Sequence, residues 1–428
     1  MSRPVFALID CNNFFVSCER LFRPELEDKP VVVLSSNDGC AVSRSNEAKA
    51  LGIPMGAPAF KFMPVFKRYG VAQFSANFEL YGDISSRIIT LLTSVTPHIE
   101  VYSVDESFLD LSELNIADYT AWARSVRELV QRYIGIPVSI GIAGSKTLAK
   151  LAAARAKKDP ELGGVLSFIG LEQENSREYL RHTPLEDIWG IGWRLTPKLK
   201  AEGLHTALDL SGLAPARAGQ LMGVHGRQLV AELGGVSCLP LQKHHKPQQM
   251  ISRGRQFGED TAQLHVLEAA VASLTVRASV VLRREQQLAR RAAVLIRTNR
   301  HKPGYRRLQR SVRFATPTAD TGLICAALVE ALSGLYNPRE LYHKADVLLF
   351  DLTPQHALQT DLLGTVVVST AERSQARLEA VDALNGRYGA GTVGFAAENL
   401  SQAWRPRRNL ASPRYTTDWH ELPTARIS

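Results

Sequence analysis

The sequence predicts a multidomain protein of mixed α/β and α+β class, and three observations carry that expectation. At 428 residues the chain exceeds what one hydrophobic core usually serves. Strand-like apolar runs alternate with helix-like segments over residues 1 to about 170, and the mixture resumes beyond residue 253. In between, residues 236–252, VSCLPLQKHHKPQQMIS, combine proline, glutamine, histidine and lysine without periodicity, as a tether does.

In the first region VFALI, KPVVVL, IEVYSV and VSIGIA read as strands, while SSRIITLLTSV and the stretch from Tyr119 to Tyr133 read as helices. From about Ser176 to Gly235 the pattern is helical, punctuated by glycine and without a strand. After the tether, a helix over TAQLHVLEAAVASLTVRASVVLRREQ precedes two alternating segments, RAAVLIRTNR and YRRLQRSVRFA, separated by the turn-favouring HKPG. The helix GLICAALVEALSGLY and the strand KADVLLFDL complete this α+β region. The polar, arginine- and proline-rich end of the chain, with a short helix around Glu372 to Leu384, reads as an interaction tail.

Composition narrows the function. Net charge is +9 with a pI near 9.3, which suits a polyanionic partner. No apolar run reaches the ~18 residues of a membrane span, and Val5 to Ile9 is too short for a secretory signal, so a cytoplasmic protein without membrane contact is expected. Cys11, Cys18, Cys40, Cys238 and Cys325 are scattered and never spaced as CxxC, which argues against a zinc site or a disulfide framework.

The chemistry points to three acids. In VFALIDCNNFF an apolar strand delivers Asp10 to its C-terminal end, and in IEVYSVDESFLDL two alternating segments meet at Asp105 and Glu106. A lone strand-end aspartate is usually only solvated. Adjacent acids beside apolar strands, however, repel each other and lose hydration unless cations compensate. Hard divalent ions need oxygen ligands, and two of them ~3.5–4 Å apart can activate a hydroxyl while stabilising a departing pyrophosphate. Asp110, farther from the turn, reads as an exposed structural residue.

Around the acids, Phe14 and Phe15 are either a core pair or one core ring and one ring beneath a bound sugar. SNDGCAVSRSNEAKALGIPMG offers Ser43, Arg44, Asn46 and Lys49 to a triphosphate, and is otherwise a loop and a solvated helix. GSKTLAKLAAARAKKDP predicts a helix capped by Ser145 with Lys146, Lys150, Arg155, Lys157 and Lys158 exposed. The string IWGIGWRLTPKLKAEGLHTALDL resembles a helix-hairpin-helix, in which Gly190 and Gly192 let backbone amides approach phosphate and Lys198 follows; a plain helical hairpin is the alternative. MGVHGRQL reads as a weaker second half. Between Arg283 and Arg313 stand eleven Lys or Arg and one acid, Glu285, and alternation places Arg297, Arg307 and Arg313 on an exposed sheet face suited to phosphate.

Taken together, IDCNNFF, SNDGCAVSRSNEAKALG, VYSVDESFLDL, KTLAKLAAARAKK and WGIG, in this order, resemble the Y-family translesion DNA polymerases, most closely the UmuC type. The resemblance spans nearly the whole chain, including SPRYTTDW. It implies a right-hand fold: palm from residues 1–16 and 79–169, fingers 17–78, helical thumb 170–236, tether 237–252, and an α+β little finger 253–352. Residues 353–428 would carry a clamp-binding peptide and the interaction tail.

The activity implied is template-directed, error-prone translesion synthesis in an SOS-type damage response, joining dNTP substrates to a primer 3′-hydroxyl with two Mg²⁺ ions, Mn²⁺ being the alternative. Asp10, Asp105 and Glu106 fall at the metal-ligand positions with the Cys11 carbonyl, Phe15 at the sugar gate and Lys157 beside the triphosphate. Ser43, Asn46 and Lys49 fall in the fingers near it, although many relatives carry Tyr and Arg at the last two positions. Gln359, Leu362 and Leu363 resemble a sliding-clamp-binding peptide. Primer–template DNA, the clamp, a processed UmuD-like homodimer and RecA are the implied partners, in a bacterial cytoplasm and at the nucleoid when acting. Two other readings use the same residues. A two-metal nuclease leaves Phe15 and Lys157 unexplained, and a non-catalytic adaptor would bind DNA and recruit clamp or RecA.

Overall fold

The structure is a computed structural model and describes residues 4–242, 247–357, 368–389, 391–399 and 401–424. The chain forms two units. One comprises Met1–Ser35, Cys40–His245 and Leu410–Ser428; the other comprises Ser36–Gly39 and Lys246–Asn409.

The first unit begins with β1 (Phe6–Cys11) and α1 (Phe14–Phe22), followed by β2 (Val31–Leu34), β3 (Ala41–Arg44), α2 (Asn46–Ala50), α3 (Ala59–Tyr69) and β4 (Ala72–Ser75). Next come α4 (Phe78–Val95), β5 (Ile99–Val101), β6 (Glu106–Asp110), α5 (Tyr119–Tyr133), β7 (Val138–Ala143), α6 (Lys146–Lys158) and β8 (Val165–Ser167). Four helices close the run: α7 (Gln173–Arg181), α8 (Thr196–Ala201), α9 (Ala207–Ser211) and α10 (Pro215–Leu233), the last interrupted at Gly223.

The main sheet has the order β5-β6-β1-β7-β8, with β1 antiparallel to both β6 and β7. Strand alternation divides β1 between two cores. Ala7, Ile9 and Cys11 pack with Phe14 and Val16 of α1, Leu80 and Ile84 of α4 and Val126 of α5, whereas Phe6 and Leu8 pack with Ala149 and Ala153 of α6. The helices start where their caps dictate: Asp118 accepts from the Thr120 and Ala121 amides at 2.8 and 3.0 Å, and Ser145 accepts from Leu148 at 3.3 Å. A smaller sheet, β3-β2-β4, was not foreseen, because its short strands are separated by irregular loop and helix.

The start of the expected tether is bonded to this unit. Cys238 and Leu239 donate their amides to Glu232 Oε1 at 2.6 and 3.1 Å, and Gln242 donates to Glu100 Oε2 at 2.6 Å.

The second unit runs β9 (Met250–Thr261), α11 (Leu264–Arg284), β10 (Gln287–Thr298), β11 (Arg307–Thr318), α12 (Thr321–Ser333), β12 (Tyr342–Pro354) and α13 (Val368–Tyr388). Its antiparallel sheet has the order β11-β10-β12-β9. Val294, Ile296, Val347 and Leu349 face α11 and α12, and α11, which has the length and hydropathy of a membrane span, is 67% buried within the unit. The strand β9 lay partly in the expected tether: with only Ile251 and Phe257 buried among polar residues, its pattern is too sparse to read without its partner β12.

The expected interaction tail is mostly exposed but anchored at a few points. Leu378 and Trp404 are buried, Asp382 receives two hydrogen bonds from Arg283 at 2.6 and 2.8 Å, and Leu410–Ser428 belongs to the first unit. Isolated apolar anchors in a polar stretch leave no periodic signal.

The seat of α6 is narrow. A Cβ on Gly141 of β7 would lie 2.1 Å from the Ala153 amide nitrogen and 2.2 Å from the Ala149 carbonyl oxygen, both backbone atoms of α6. Gly141→Ala is therefore expected to destabilise the first unit by about 1–3 kcal/mol. Urea unfolding checks this, and an unchanged midpoint would contradict the close helix–sheet seating.

Candidate active site

The β1 register assembles the acids. Asp10 pairs with Glu106 across β1 and β6, and by alternation both share the face on which Leu8 and Phe108 meet α6. The Cys11 amide donates to the Asp105 carbonyl at 2.8 Å, which brings the turn before β6 against the end of β1. Within that turn Ser103 Oγ donates to Asp105 Oδ1 at 2.6 Å and accepts from the Glu106 amide at 3.0 Å. Asp110 caps the following turn, accepting from Ser112 through its amide at 3.0 Å and its hydroxyl at 2.5 Å.

Two lysines answer these charges. Lys157 Nζ donates to Asp10 Oδ1 and Lys150 Nζ to Glu106 Oε1, each at 2.6 Å. They are seven residues apart, about two helical turns, so one face of α6 presents both. Lys150 also lies over the rings of Tyr102 and Trp189, at 4.7 and 5.6 Å from their centroids. The expectation that the α6 lysines are all exposed fails at Lys150, which is half-buried, and most clearly at Lys146, which is 2% exposed, ion-paired with Glu100 and bonded to the Pro240 carbonyl at 3.0 Å.

In this arrangement the ammonium groups hold two of the acids, and among the described residues no three His, Cys, Asp or Glu side chains form a ready metal cluster. The donors themselves are carboxylate oxygens on neighbouring strands, the type a hard divalent cation takes. Their joint field is felt at Cys11, whose thiol is pushed well up by burial and then by the negative charges of Asp10 and Asp105.

Beside the acids lies a cavity of about 200 Å³ lined by Cys11, Asn13, Phe14, Phe15, Val42, Ser43, Arg44, Lys49, Met55, Asp105 and Lys157. Burial, followed by the like charges of Lys157 and Arg44, lowers the Lys49 ammonium below its usual range. Arg44, Lys49 and Lys157 thus bring three cations to one cavity, with Asp105 in the same lining and Lys157 paired to Asp10, and positive charge of this kind suits an anion. Arg44 Nη1 donates to the Ile53 carbonyl at 2.7 Å, and its buried Nε has no hydrogen-bond acceptor among the described residues. A larger groove, about 360 Å³, lies against α6 and α7, but its Lys158 and His182 are already bonded to Asp187 and Glu178.

Of the nucleotide residues expected from sequence, Phe15, Ser43 and Lys49 line the cavity. Phe14 touches it from the core side, 3% exposed. Asn46 joins them indirectly. Its Oδ1 accepts from Asn13 Nδ2 and from Lys49 Nζ, both at 3.1 Å, while Lys49 also donates to Asn13 Oδ1 at 2.6 Å. Asn13 was missed, although Asn is a residue that tolerates the left-handed backbone it adopts, φ 47°. Lys150 was also missed in this role, and its seven-residue spacing from Lys157 was the available signal.

Farther along the first unit, Gly190 adopts φ 91° in an open turn, Gly192 has space around it, and Lys198 is exposed on α8. MGVHGRQL lies within α10, broken at Gly223. In the second unit, Arg307 and Arg313 are exposed on β11, opposite Arg297 and Arg291. Arg297 departs from the expectation of a free exposed cation: its Nη2 donates to Asp346 Oδ2 at 2.9 Å. Gly254 makes room for that acid, since a Cβ there would lie 1.9 Å from Asp346 Oδ1. Gln359, Leu362 and Leu363 lie outside the described residues.

The chain matches the impB/mucB/samB family over residues 9–154, the C-terminal domain of that family over 248–362, and a domain of unknown function, DUF4113, over 377–425. It is 37% identical over 428 residues to protein SamB of Salmonella typhimurium, covering 99% of this chain and 100% of SamB. The chain belongs to the UmuC-type Y-family DNA polymerases. Protein UmuC of Salmonella typhimurium is 39% identical over 424 residues, covering 98% of this chain and 99% of that protein. DNA polymerase IV of Moorella thermoacetica is 28% identical, covering 89% and 93%. Among solved structures, a Y-family DNA polymerase chimera built on Dbh superposes with a TM-score of 0.65 at 21% identity, over 82% of this chain and 99% of the chimera. The fold is the right-hand Y-family fold, with palm, fingers, helical thumb and α+β little finger.

In this Y-family polymerase, the buried and negatively surrounded Cys11 is expected to resist iodoacetamide at mildly alkaline pH, while the partly exposed Cys40 is modified. Peptide mass spectrometry of the native chain reads the outcome; rapid Cys11 labelling would contradict the gathering of acids around it.

Proposed function

We propose that this polymerase performs error-prone translesion synthesis by using Asp10, Asp105 and Glu106 to hold two divalent metal ions, Mg²⁺ or Mn²⁺, beside a nucleotide in the neighbouring cavity. The observation that carries this reading is the Asp10–Glu106 pairing next to an anion-favouring cavity lined by Arg44, Lys49 and Lys157. Such ions, when bound, activate the primer 3′-hydroxyl and neutralise charge on the departing pyrophosphate. The Cys11 backbone carbonyl, at the end of β1, is the expected additional ligand.

The protein residues do the rest. Lys157, Lys49 and Arg44 supply positive charge to the triphosphate, and Lys157 leaves Asp10 as that anion arrives. Ser43 and Asn46 position the Asn13–Lys49 cluster around it. The Phe15 ring lies beneath the sugar and excludes a 2′-hydroxyl by contact. Val42, Ser43 and Met55 give the fingers side of the cavity small or flexible walls, which press little on a distorted base pair.

For the duplex, Gly190, Gly192 and Lys198 would contact phosphate from the thumb, and Arg307 and Arg313 from the little finger, with Arg297 shared with Asp346. Gln359, Leu362 and Leu363 would engage a sliding clamp, and a processed UmuD-like dimer and RecA remain the expected protein partners, in the cytoplasm.

Two outcomes test the assignment. Primer extension opposite an abasic template, with dNTPs and Mg²⁺, is expected to fall by at least about a hundredfold in Asp105→Ala, because a lost metal ligand raises the barrier by several kcal/mol. Activity equal to the unsubstituted chain would end the metal assignment. Phe15→Ala is expected to raise ribonucleotide over deoxynucleotide kcat/KM by about 10- to 100-fold, the range open to a steric apolar contact. Single-nucleotide insertion kinetics provide the ratio, and an unchanged value would reject the sugar-gate role.

A further inference from the structure

The Phe15 ring rests on a stack of buried groups that leads away to the end of the chain. Tyr81 of α4, 1% exposed, lies parallel to it, with centroids 4.5 Å apart and planes inclined by 13°. The Tyr81 hydroxyl donates to Glu19 Oε1 at 2.6 Å, and Ser412 Oγ donates to the same oxygen at 3.0 Å. Glu19 has no solvent exposure, and its other oxygen, Oε2, has no hydrogen-bond partner among the described residues. Burial raises the Glu19 carboxyl while the Tyr81 and Ser412 hydrogen bonds pull it back. A buried acid with so few donors depends strongly on each one.

Ser412 is itself fixed. Asn77, which caps α4 by accepting from the Leu80 amide at 3.3 Å, donates its Nδ2 to Ser412 Oγ at 3.0 Å, to the Ser412 carbonyl at 3.3 Å and to the Pro413 carbonyl at 3.1 Å. Upstream, Leu410 exchanges hydrogen bonds with Ser75, its amide to Ser75 Oγ at 3.0 Å and its carbonyl from the Ser75 amide at 2.9 Å, and Ala411 forms a parallel bridge to Ser75 at the end of β4. Downstream, the Tyr415 ring stacks on Phe22 at 4.4 Å and 12°. The helix α1 is thus held by a ring at each end, Tyr81 against Phe15 and Tyr415 against Phe22.

We propose that Ser412 is a positioning residue for sugar selection: acting through Glu19 and Tyr81, it fixes the plane of Phe15, so that the segment Leu410–Tyr415 is part of the nucleotide gate. This gives a purpose to the last part of the domain of unknown function, and it rests on the reading of Phe15 as the gate. Without the Ser412 hydroxyl, Glu19 keeps Tyr81 as its sole side-chain donor among the described residues. It then takes up a proton or shifts, and the Tyr81 ring loses its fixed height beneath Phe15.

The test uses the full-length chain, with any accessory protein its extension requires, and reads single-nucleotide kcat/KM for a dNTP and the matching rNTP. Ser412→Ala is expected to lower discrimination by roughly three- to tenfold. Ser412→Thr, which keeps the hydroxyl, retains it. Tyr81→Phe, which keeps the ring and loses the hydroxyl, matches Ser412→Ala, and the double substitution is no worse than either. A proportional fall for both nucleotides with an unchanged ratio would reduce Ser412 to a stabilising contact and overturn the proposal. Phe15→Ala separates the two levels. If it relaxes discrimination while Ser412→Ala does not, only the present proposal fails; if it changes nothing, the gate reading fails and takes this one with it.

Discussion

Negative charge at the rim of an apolar sheet is the constraint around which the first unit is organised. Asp10, Asp105 and Glu106 stand where strand residues leave the core, and unit charges a few ångströms apart in a partly buried setting repel by several kcal/mol unless opposite charge is supplied. That charge comes from α6, whose Lys150 and Lys157 meet two of the acids. The helix delivers them because its position admits little freedom: Gly141 lets its backbone rest on β7, Ser145 caps it, and the buried Glu232 accepts the Thr147 amide at 3.0 Å. Core packing and active-site electrostatics are therefore one problem here, solved by one helix.

The cation-lined side of the cavity follows a different rule. Arg44, Lys49 and Lys157 stand together there, and burial followed by the charges of the other two disfavours the Lys49 ammonium, while Lys157 remains paired with Asp10. On the proposed reading, a triphosphate would complete that set of charges, whereas a neutral ligand of the same shape would not. The aromatic side of the cavity is packed by contrast, with the Phe15 ring stacked on the buried Tyr81 and edge-on to Phe78, so that the proposed anion contacts are long side chains and the proposed sugar contact is a supported ring.

Much of this was legible in the sequence. The strands at VFALI and VSIGIA, the helix Tyr119–Tyr133, and the β10–β11 pair all follow from apolar periodicity, because each buries one clear face. The meeting of Asp10 with the Asp105–Glu106 turn was legible as well, since two adjacent charges at the junction of apolar segments conflict locally. What escaped was set by partners distant in sequence. The strand β9 takes its identity from β12, the short strands β3 and β4 from β2, and Lys146 its burial from Glu100. The final stretch was hardest to read: Trp404, Ser412 and Tyr415 are single anchors in a polar run, and nothing in their spacing announces what they touch.

Translation releases β1 first and Leu410–Tyr415 late, yet both belong to the same unit. The ribosome must therefore make the whole second unit before the first can be closed. A nonsense codon or a proteolytic cut just upstream of Ser412 yields a product that still carries every acid and every cation of the proposed reaction centre while lacking the piece that seats Tyr81 and Phe22. For an enzyme that copies DNA loosely, this order of assembly ties completion of the first unit to synthesis through Leu410–Tyr415.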